Sequence, residues 1–302
     1  MAPRLALKID ADTLRGTRAG VPALVQALQA VGAGATFLFS LGPDHTGRAL
    51  RRVFRPGFMK KVSRTSVVEH YGLKTLMYGT LLPGPDIGRR AAHVMRAVRD
   101  AGFETGIHCY DHADWQDYVV RRDRAWTARQ MQLAADAYQR VFGEAPRTHG
   151  AAGWQMNAAA YDIEQQWGLD YASDTRGTGP FRPLVNGQPS RCPQLPTTLP
   201  TLDELLGVDD LTPATVHERL LALTAEPRDG HVFTLHAELE GMKLLPVFNR
   251  LLRGWLAQGY ELVATRTLWA GLDARQLPVC EVCDGSVAGR SGTLACQGER
   301  VR

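Results

Sequence analysis

Apolar positions along this chain fall into short blocks that alternate between strand and helix spacing. Leu5–Ile9 is an apolar run of strand length. From about Pro22, a favoured first-turn residue, Leu24, Val25, Leu28 and Val31 recur on one helical face. Thr36–Leu41 is the next strand. A helix over Arg89–Ala101 ends at Gly102, a good C-cap, and Phe103–Ile107 follows as a strand. Trp126–Phe142 has Met131, Ala134, Tyr138 and Val141 spaced for burial, with Gly143 at its end. Asn157–Trp167, Pro213–Thr224 and Lys243–Gln258 read as helices. Leu169–Ala172, His231–Leu235 and Tyr260–Val263 read as strands. From about Arg275 the chain becomes Gly-rich and is expected to be irregular. This alternation predicts a mostly parallel sheet wrapped by helices, open or closed into a barrel. Residues 1–274 are expected to form one domain, with an insertion over about 43–86 and a tail over 275–302.

In such folds chemistry gathers where strands end. Asp10 and Asp12 follow the first strand, His108 follows Phe103–Ile107, Asp174 follows Leu169–Ala172, and His236 follows His231–Leu235. Asp10 and Asp12 are two apart, so on a strand both carboxylates face one side and repel. His108 and His112 form HxxxH, which on one helical turn aims both imidazoles the same way. HxxxH alone also describes a pair of surface histidines. Two histidines with one carboxylate make a facial set that holds a divalent ion and leaves positions open. The second carboxylate is then free to accept a proton from water. His236 reads either as a core histidine or as the acid that protonates a leaving amine. Asp174 reads as a turn residue or as the group that orients His236. Arg147 reads as a surface cation or as the group that orients the base carboxylate.

Composition narrows the class. The 302-residue chain is 44% hydrophobic and 22% charged, enough for a large core without metal or disulfide staples. Five scattered cysteines suit a reducing compartment, and Cys280, Cys283 and Cys296 lack an obvious fourth zinc ligand. No apolar run approaches the ~18 residues of a spanning helix. Asp10 arrives before a signal-peptide core could form, so a cytoplasmic protein is expected. The net charge of +4 is local in origin. No acid lies between Asp44 and Glu69, whereas Arg48, Arg51, Arg52, Arg55, Lys60, Lys61 and Arg64 do; without these seven the chain would carry −3. Leu50, Val53, Phe54, Phe58, Met59 and Val62 are interleaved with the cations. Leu73, Leu76, Met77, Tyr78, Leu81 and Leu82 follow. A basic segment with bulky apolar residues suits an anionic membrane surface better than a solvated loop. No nucleic-acid motif accompanies it, and no obligate protein partner is evident.

Taken together, the motifs resemble the NodB-homology polysaccharide deacetylases, carbohydrate esterase family 4, over roughly residues 5–240. The resemblance implies an α/β fold, a distorted (β/α) barrel of the polysaccharide-deacetylase type, here with a basic amphipathic insertion after the second strand. It implies a catalytic base at Asp10, one divalent metal (zinc, cobalt or manganese) on Asp12, His108 and His112, an Arg motif at Arg147, and an acid at His236 tuned by Asp174. The chain departs from the family pattern in the split Asp10-Ala11-Asp12, in Cys109 after the first histidine, and in RTHGAAGW around Arg147. The wording of KIDADTLRGTR, RTHGAAGWQMN and SDTRG is closest to the family's bacterial deformylase branch. That likeness implies removal of formate from undecaprenyl-phosphate-linked 4-deoxy-4-formamido-L-arabinose, for aminoarabinose modification of lipid A and polymyxin resistance. Such a substrate places the enzyme on the cytoplasmic face of the bacterial inner membrane. Arg48, Arg51, Arg52, Phe54, Arg55, Phe58, Lys60, Lys61 and Arg64 would then meet the membrane and the lipid phosphate. Two alternatives are an N-deacetylase of a polysaccharide or chitin-like oligomer, and an inactive polyprenyl-phosphate or membrane-binding module.

Overall fold

The computed structural model describes residues 2–48 and 73–301. Arg51, Arg52, Phe54, Arg55, Phe58, Lys60, Lys61 and Arg64 lie outside the described residues; Arg48 lies within them. Seven strands form the main sheet: β1 (Arg4–Ala11), β2 (Thr36–Ser40), β3 (Glu104–Cys109), β4 (Thr148–His149), β5 (Tyr171–Ala172), β8 (His231–His236) and β9 (Glu261–Val263). Their order is β5-β4-β3-β2-β1-β8, with β9 paired to the start of β1, and every pairing is parallel. Helices lie between successive strands, and the curved sheet with its helical wrap is the distorted barrel that the alternation predicted.

β1 shows how the barrel sorts its side chains. Leu5, Leu7 and Ile9 join Phe37, Phe39, Phe233 and Leu235 in the main apolar cluster beneath the helices. Ala6 belongs to a separate cluster with Tyr171, Leu195, Val232, Val263 and Leu268. Alternation puts Lys8 and Asp10 on the face of Ala6. Polar groups therefore occupy that face as β1 runs toward its carboxyl end, and Lys8 and Asp10 are almost fully buried.

Helix boundaries follow their caps. The helix Arg124–Phe142 starts two residues before Trp126, because the Asp123 side chain accepts the Trp126 backbone N–H at 2.8 Å. It stops at Gly143, whose φ of 78° suits glycine. Asn157 is the N-cap of the helix Ala158–Trp167 rather than its first turn. The single helix expected over Arg89–Ala101 is two, Ile87–Arg90 and Ala92–Asp100, divided at Ala91 with φ −120°.

The end of the chain corrects the expectation of an irregular tail. β10 (Val279–Gly285) and β11 (Leu294–Arg300) form an antiparallel hairpin. β10 also pairs with β6 (Arg182–Val185), which pairs with β7 (Gln188–Pro189), giving a second, four-stranded sheet. Gly289 and Gly292 supply the positive φ needed between the hairpin strands. Arg290 in that connection binds Glu204 at 2.6 Å, and the Arg176 N–H donates to Ala295 O at 2.9 Å. Residues past Arg275 are thus tied to the barrel. All five cysteines are free, and Cys283 lies opposite Cys296 across the hairpin. No helix among the described residues is long and apolar enough to cross a membrane.

Candidate metal centre and its surroundings

The carboxyl ends of β1 and β3 bring together the two aspartates and the HxxxH pair. Asp12, just past β1, lies between the imidazoles: its Oδ1 is 3.2 Å from His108 Nε2 and its Oδ2 is 3.4 Å from His112 Nε2. Ligating atoms of Asp12, His108 and His112 all lie within 4.8 Å of one another. The two histidines do not share a helical turn, as HxxxH suggested. His108 is on β3, whereas His112 opens the helix His112–Tyr118, which is capped by Asp111. The turn between strand and helix is what brings the rings to a centroid separation of 5.3 Å.

This donor set fits a divalent cation. His108 Nδ1 faces Gly150 O at 2.6 Å, so Nδ1 carries the proton and Nε2 presents its lone pair toward Asp12. Asp12 Oδ1 and Asp10 Oδ1 are buried without a hydrogen-bond partner among the described residues, a costly state that a cation relieves. Burial disfavours the charge on Asp12, yet His112, His108 and His236 hold its carboxyl well below the usual range. His108 is raised despite burial, because Asp10 and Asp12 favour its charged form. Two imidazoles and one carboxylate suit zinc, cobalt or manganese alike.

Asp10 is set apart from the pair of imidazoles. Its Oδ1 is 3.8 Å from His108 Nδ1 and its Oδ2 is 3.7 Å from Lys8 Nζ. Sheet register places it beside His236 on β8. The His236 backbone N–H donates to Glu240 at 2.8 Å, while its ring Nδ1 has no hydrogen-bond partner among the described residues.

Two expected contacts are absent. Arg147 does not reach Asp10: it forms a two-pronged pair with Asp170 at 2.8 and 2.6 Å, and its side chain is 74% exposed. Arg147 precedes β4 at its amino end, whereas the aspartates follow β1 at its carboxyl end. The cation beside Asp10 is Lys8, two residues earlier on the same strand face. Lys8 is wholly buried, donates to Ser173 O at 2.8 Å and lies 5.3 Å from the Trp154 ring centroid. Asp174 does not orient His236 either. Its Oδ1 is 2.9 Å from His149 Nδ1, and the same nitrogen is 2.8 Å from Glu164. The signal that sequence reasoning passed over was Lys8 itself, a cation inside an otherwise apolar strand.

Comparison with known proteins places this geometry. Over 300 residues, 99% of this chain and 96% of the relative, it is 34% identical to a Shewanella sediminis protein named as a probable 4-deoxy-4-formamido-L-arabinose-phosphoundecaprenol deformylase, ArnD. The chain belongs to this deformylase family. A Wigglesworthia glossinidia brevipalpis protein of the same name is 27% identical over 288 residues, 95% of this chain and all of the relative. A crystal structure assigned to the polysaccharide deacetylases, from Mycobacterium smegmatis, superposes with a TM-score of 0.64 at 17% identity, covering 95% of each chain. That likeness shows the fold, the distorted barrel of carbohydrate esterase family 4. No protein-family model matches the chain.

Beside Asp12 stands a buried acid that sequence reasoning did not single out, Glu238. Glu238 Oε1 accepts from the Asp12 and Thr13 N–H groups and the Thr13 hydroxyl, at 3.0, 2.8 and 2.8 Å. It thereby fixes the backbone that carries Asp12. Burial and the nearby Asp12 raise its carboxyl well above the usual range. A side chain at Gly16 would collide with Glu238 at 1.9 Å, so the glycine makes room for it. Cys109 contacts Ser40 at 3.2 Å, and burial keeps its thiol protonated.

Proposed function

We propose that this chain removes formate from undecaprenyl-phosphate-linked 4-deoxy-4-formamido-L-arabinose, in a metal-dependent reaction at the cytoplasmic face of the inner membrane. As a member of its family it is a hydrolase acting on an amide C–N bond. In this reading the product serves aminoarabinose modification of lipid A and hence polymyxin resistance. The observation that carries the proposal is the convergence of Asp12, His108 and His112 beside a second, separately held carboxylate, Asp10.

Asp12, His108 and His112 would hold the ion, and Asp10 would be the base. Asp12 touches both imidazole Nε2 atoms, whereas Asp10 is held from the other side by Lys8. A bound divalent ion supplies Lewis acidity, polarising a carbonyl and making water more acidic. Asp10 Oδ1, buried and free of other hydrogen bonds, accepts the proton from the attacking water. Lys8 stabilises the ionised carboxylate without occupying that oxygen. His236, across the register from Asp10, donates a proton to the departing amine, which leaves poorly as an anion. Formate and the free amino sugar lipid are the products.

The test is mass spectrometry of the formamido lipid after incubation with the purified protein. Loss of a formyl group is expected, abolished by EDTA and restored by a divalent metal. Unchanged lipid under all conditions, or activity indifferent to the chelator, overturns the proposal.

A further inference from the structure

Asp174 lost its expected partner His236, yet it is the centre of a fully buried network. His149, Glu164 and Asp174 are each almost inaccessible, and their ligating atoms lie within 4.8 Å of one another. His149 Nδ1 lies 2.8 Å from Glu164 and 2.9 Å from Asp174 Oδ1. Gln194 holds Asp174 from the opposite side: its Nε2 donates to Asp174 Oδ2 at 2.7 Å, and its Oε1 accepts the Asp174 N–H at 2.9 Å. The carboxylate therefore has one orientation. Burial disfavours its charge, but His149 keeps it ionised. His149 is in turn raised to about 10, against the effect of burial, by Asp174 and Glu164.

One further bond leaves this network. The Ala151 N–H donates to Asp174 Oδ1 at 2.8 Å. Gly150 O faces His108 Nδ1 at 2.6 Å. These two groups are opposite sides of a single peptide plane, which is rigid. Fixing the N–H on a buried carboxylate fixes the direction of the C=O, and polarisation along the amide makes that oxygen a better acceptor. Glycine at position 150 leaves room for the side chains packed on this peptide, since a Cβ would lie 2.3 Å from Leu38 Cδ1 and 3.3 Å from Lys8 Nζ.

We propose that Asp174, clamped by His149, Glu164 and Gln194, is a positioning residue that sets the ring orientation and tautomer of His108 through the Gly150–Ala151 peptide plane. It is the carboxylate–histidine pairing common around metal ligands, with an amide interposed. The inference rests on the reading of His108 as a ligand, so its test has an arm that needs no metal. In the metal-free protein, at a pH high enough for the His108 ring to be neutral, two-bond nitrogen–proton NMR correlations should show His108 as the pure Nδ1–H tautomer, moving to a mixture in Asp174→Ala. Asp174→Ala should also lower cobalt affinity by about tenfold to a hundredfold and alter the cobalt visible spectrum. Asp174→Asn, nearly isosteric and still an acceptor for Ala151 N–H, should retain the tautomer and recover part of the affinity; it carries the test if the alanine variant does not fold. An Nε2–H tautomer of His108 in the unsubstituted protein overturns the proposal. So do wild-type cobalt affinity and spectrum in both variants.

Discussion

At the scale of residues, the two aspartates that seemed to repel each other at the end of β1 have different neighbours. Asp12 sits between two imidazoles, and Asp10 sits between a lysine and the face of one imidazole. Substitution should separate their roles. Asp12→Asn should lose the stoichiometric divalent ion by elemental analysis. Asp10→Asn should keep the ion and lose on the order of 10²–10⁴ in kcat, the range for a removed proton acceptor. Equal metal loss in both would refute the division. Lys8 belongs to the same argument. With Lys8→Met, Asp10 keeps its place but loses its buried counter-charge; kcat should fall on the order of a hundredfold at unchanged metal content. The ligand types were legible in the sequence because few residue types bind metals and these stand at strand ends. Lys8 was passed over because a single cation leaves an apolar run still reading as a strand, although its spacing of two from Asp10 puts both on one face.

At the scale of elements, the main-sheet strands were legible from their apolar residues, all but β4, and the strands of the second sheet were not. β4 has two residues, and β6 and β7, a short local hairpin, join the second sheet only where β6 pairs with the distant β10. Two residues carry no period. Their importance comes from what they hold, since His149 is half of β4. This buried network also makes stability depend on pH. His149 is raised to about 10 from an ordinary 6.5, so the native state keeps a proton that the unfolded chain releases between those values. Glu240, raised to about 8 by burial, acts in the same direction from about 4.5 upward. Both contributions are complete at low pH and are lost as pH rises through the folded-state values. The urea midpoint should therefore fall from about pH 7 to about pH 10, by an amount equivalent to a few kcal/mol at ~1.4 kcal/mol per pKa unit. His149→Gln should flatten that dependence. A midpoint that rises with pH would contradict the assignment of charges in the network.

At the scale of the whole molecule, charge and apolar exposure gather in one stretch of sequence. Seven cations between Arg48 and Arg64 exceed the whole net charge of +4. Arg48 is held against the barrel by Asp114 at 2.8 Å and Asp111 at 3.8 Å, next to the helix that His112 opens. Arg48, the first cation of that stretch, is therefore held close to the candidate metal centre. On the returning side, the helix Leu73–Met77 and the turn after it leave Leu73 67% and Leu81 81% exposed, among the few large apolar side chains so placed. Exposed leucines near clustered cations in the sequence suit an anionic leaflet, and substitutions test that expectation. Leu73→Ser with Leu81→Ser removes two anchors, each worth roughly 1.5–3 kcal/mol when fully buried. Replacing Arg51, Arg52, Lys60 and Lys61 by Gln removes about 1 kcal/mol of attraction per cation. In cosedimentation with vesicles containing anionic lipid, either set should weaken binding by about a hundredfold to a thousandfold. Binding of the native chain and of the leucine variant should fall steeply with added salt, and the residual binding of the Gln variant less so. Metal content should stay at the wild-type level in both, because none of these residues belongs to the Asp12, His108 and His112 ligand set. Unchanged pelleting of both variants would remove the membrane from the account and leave the barrel to find its lipid substrate through the site alone.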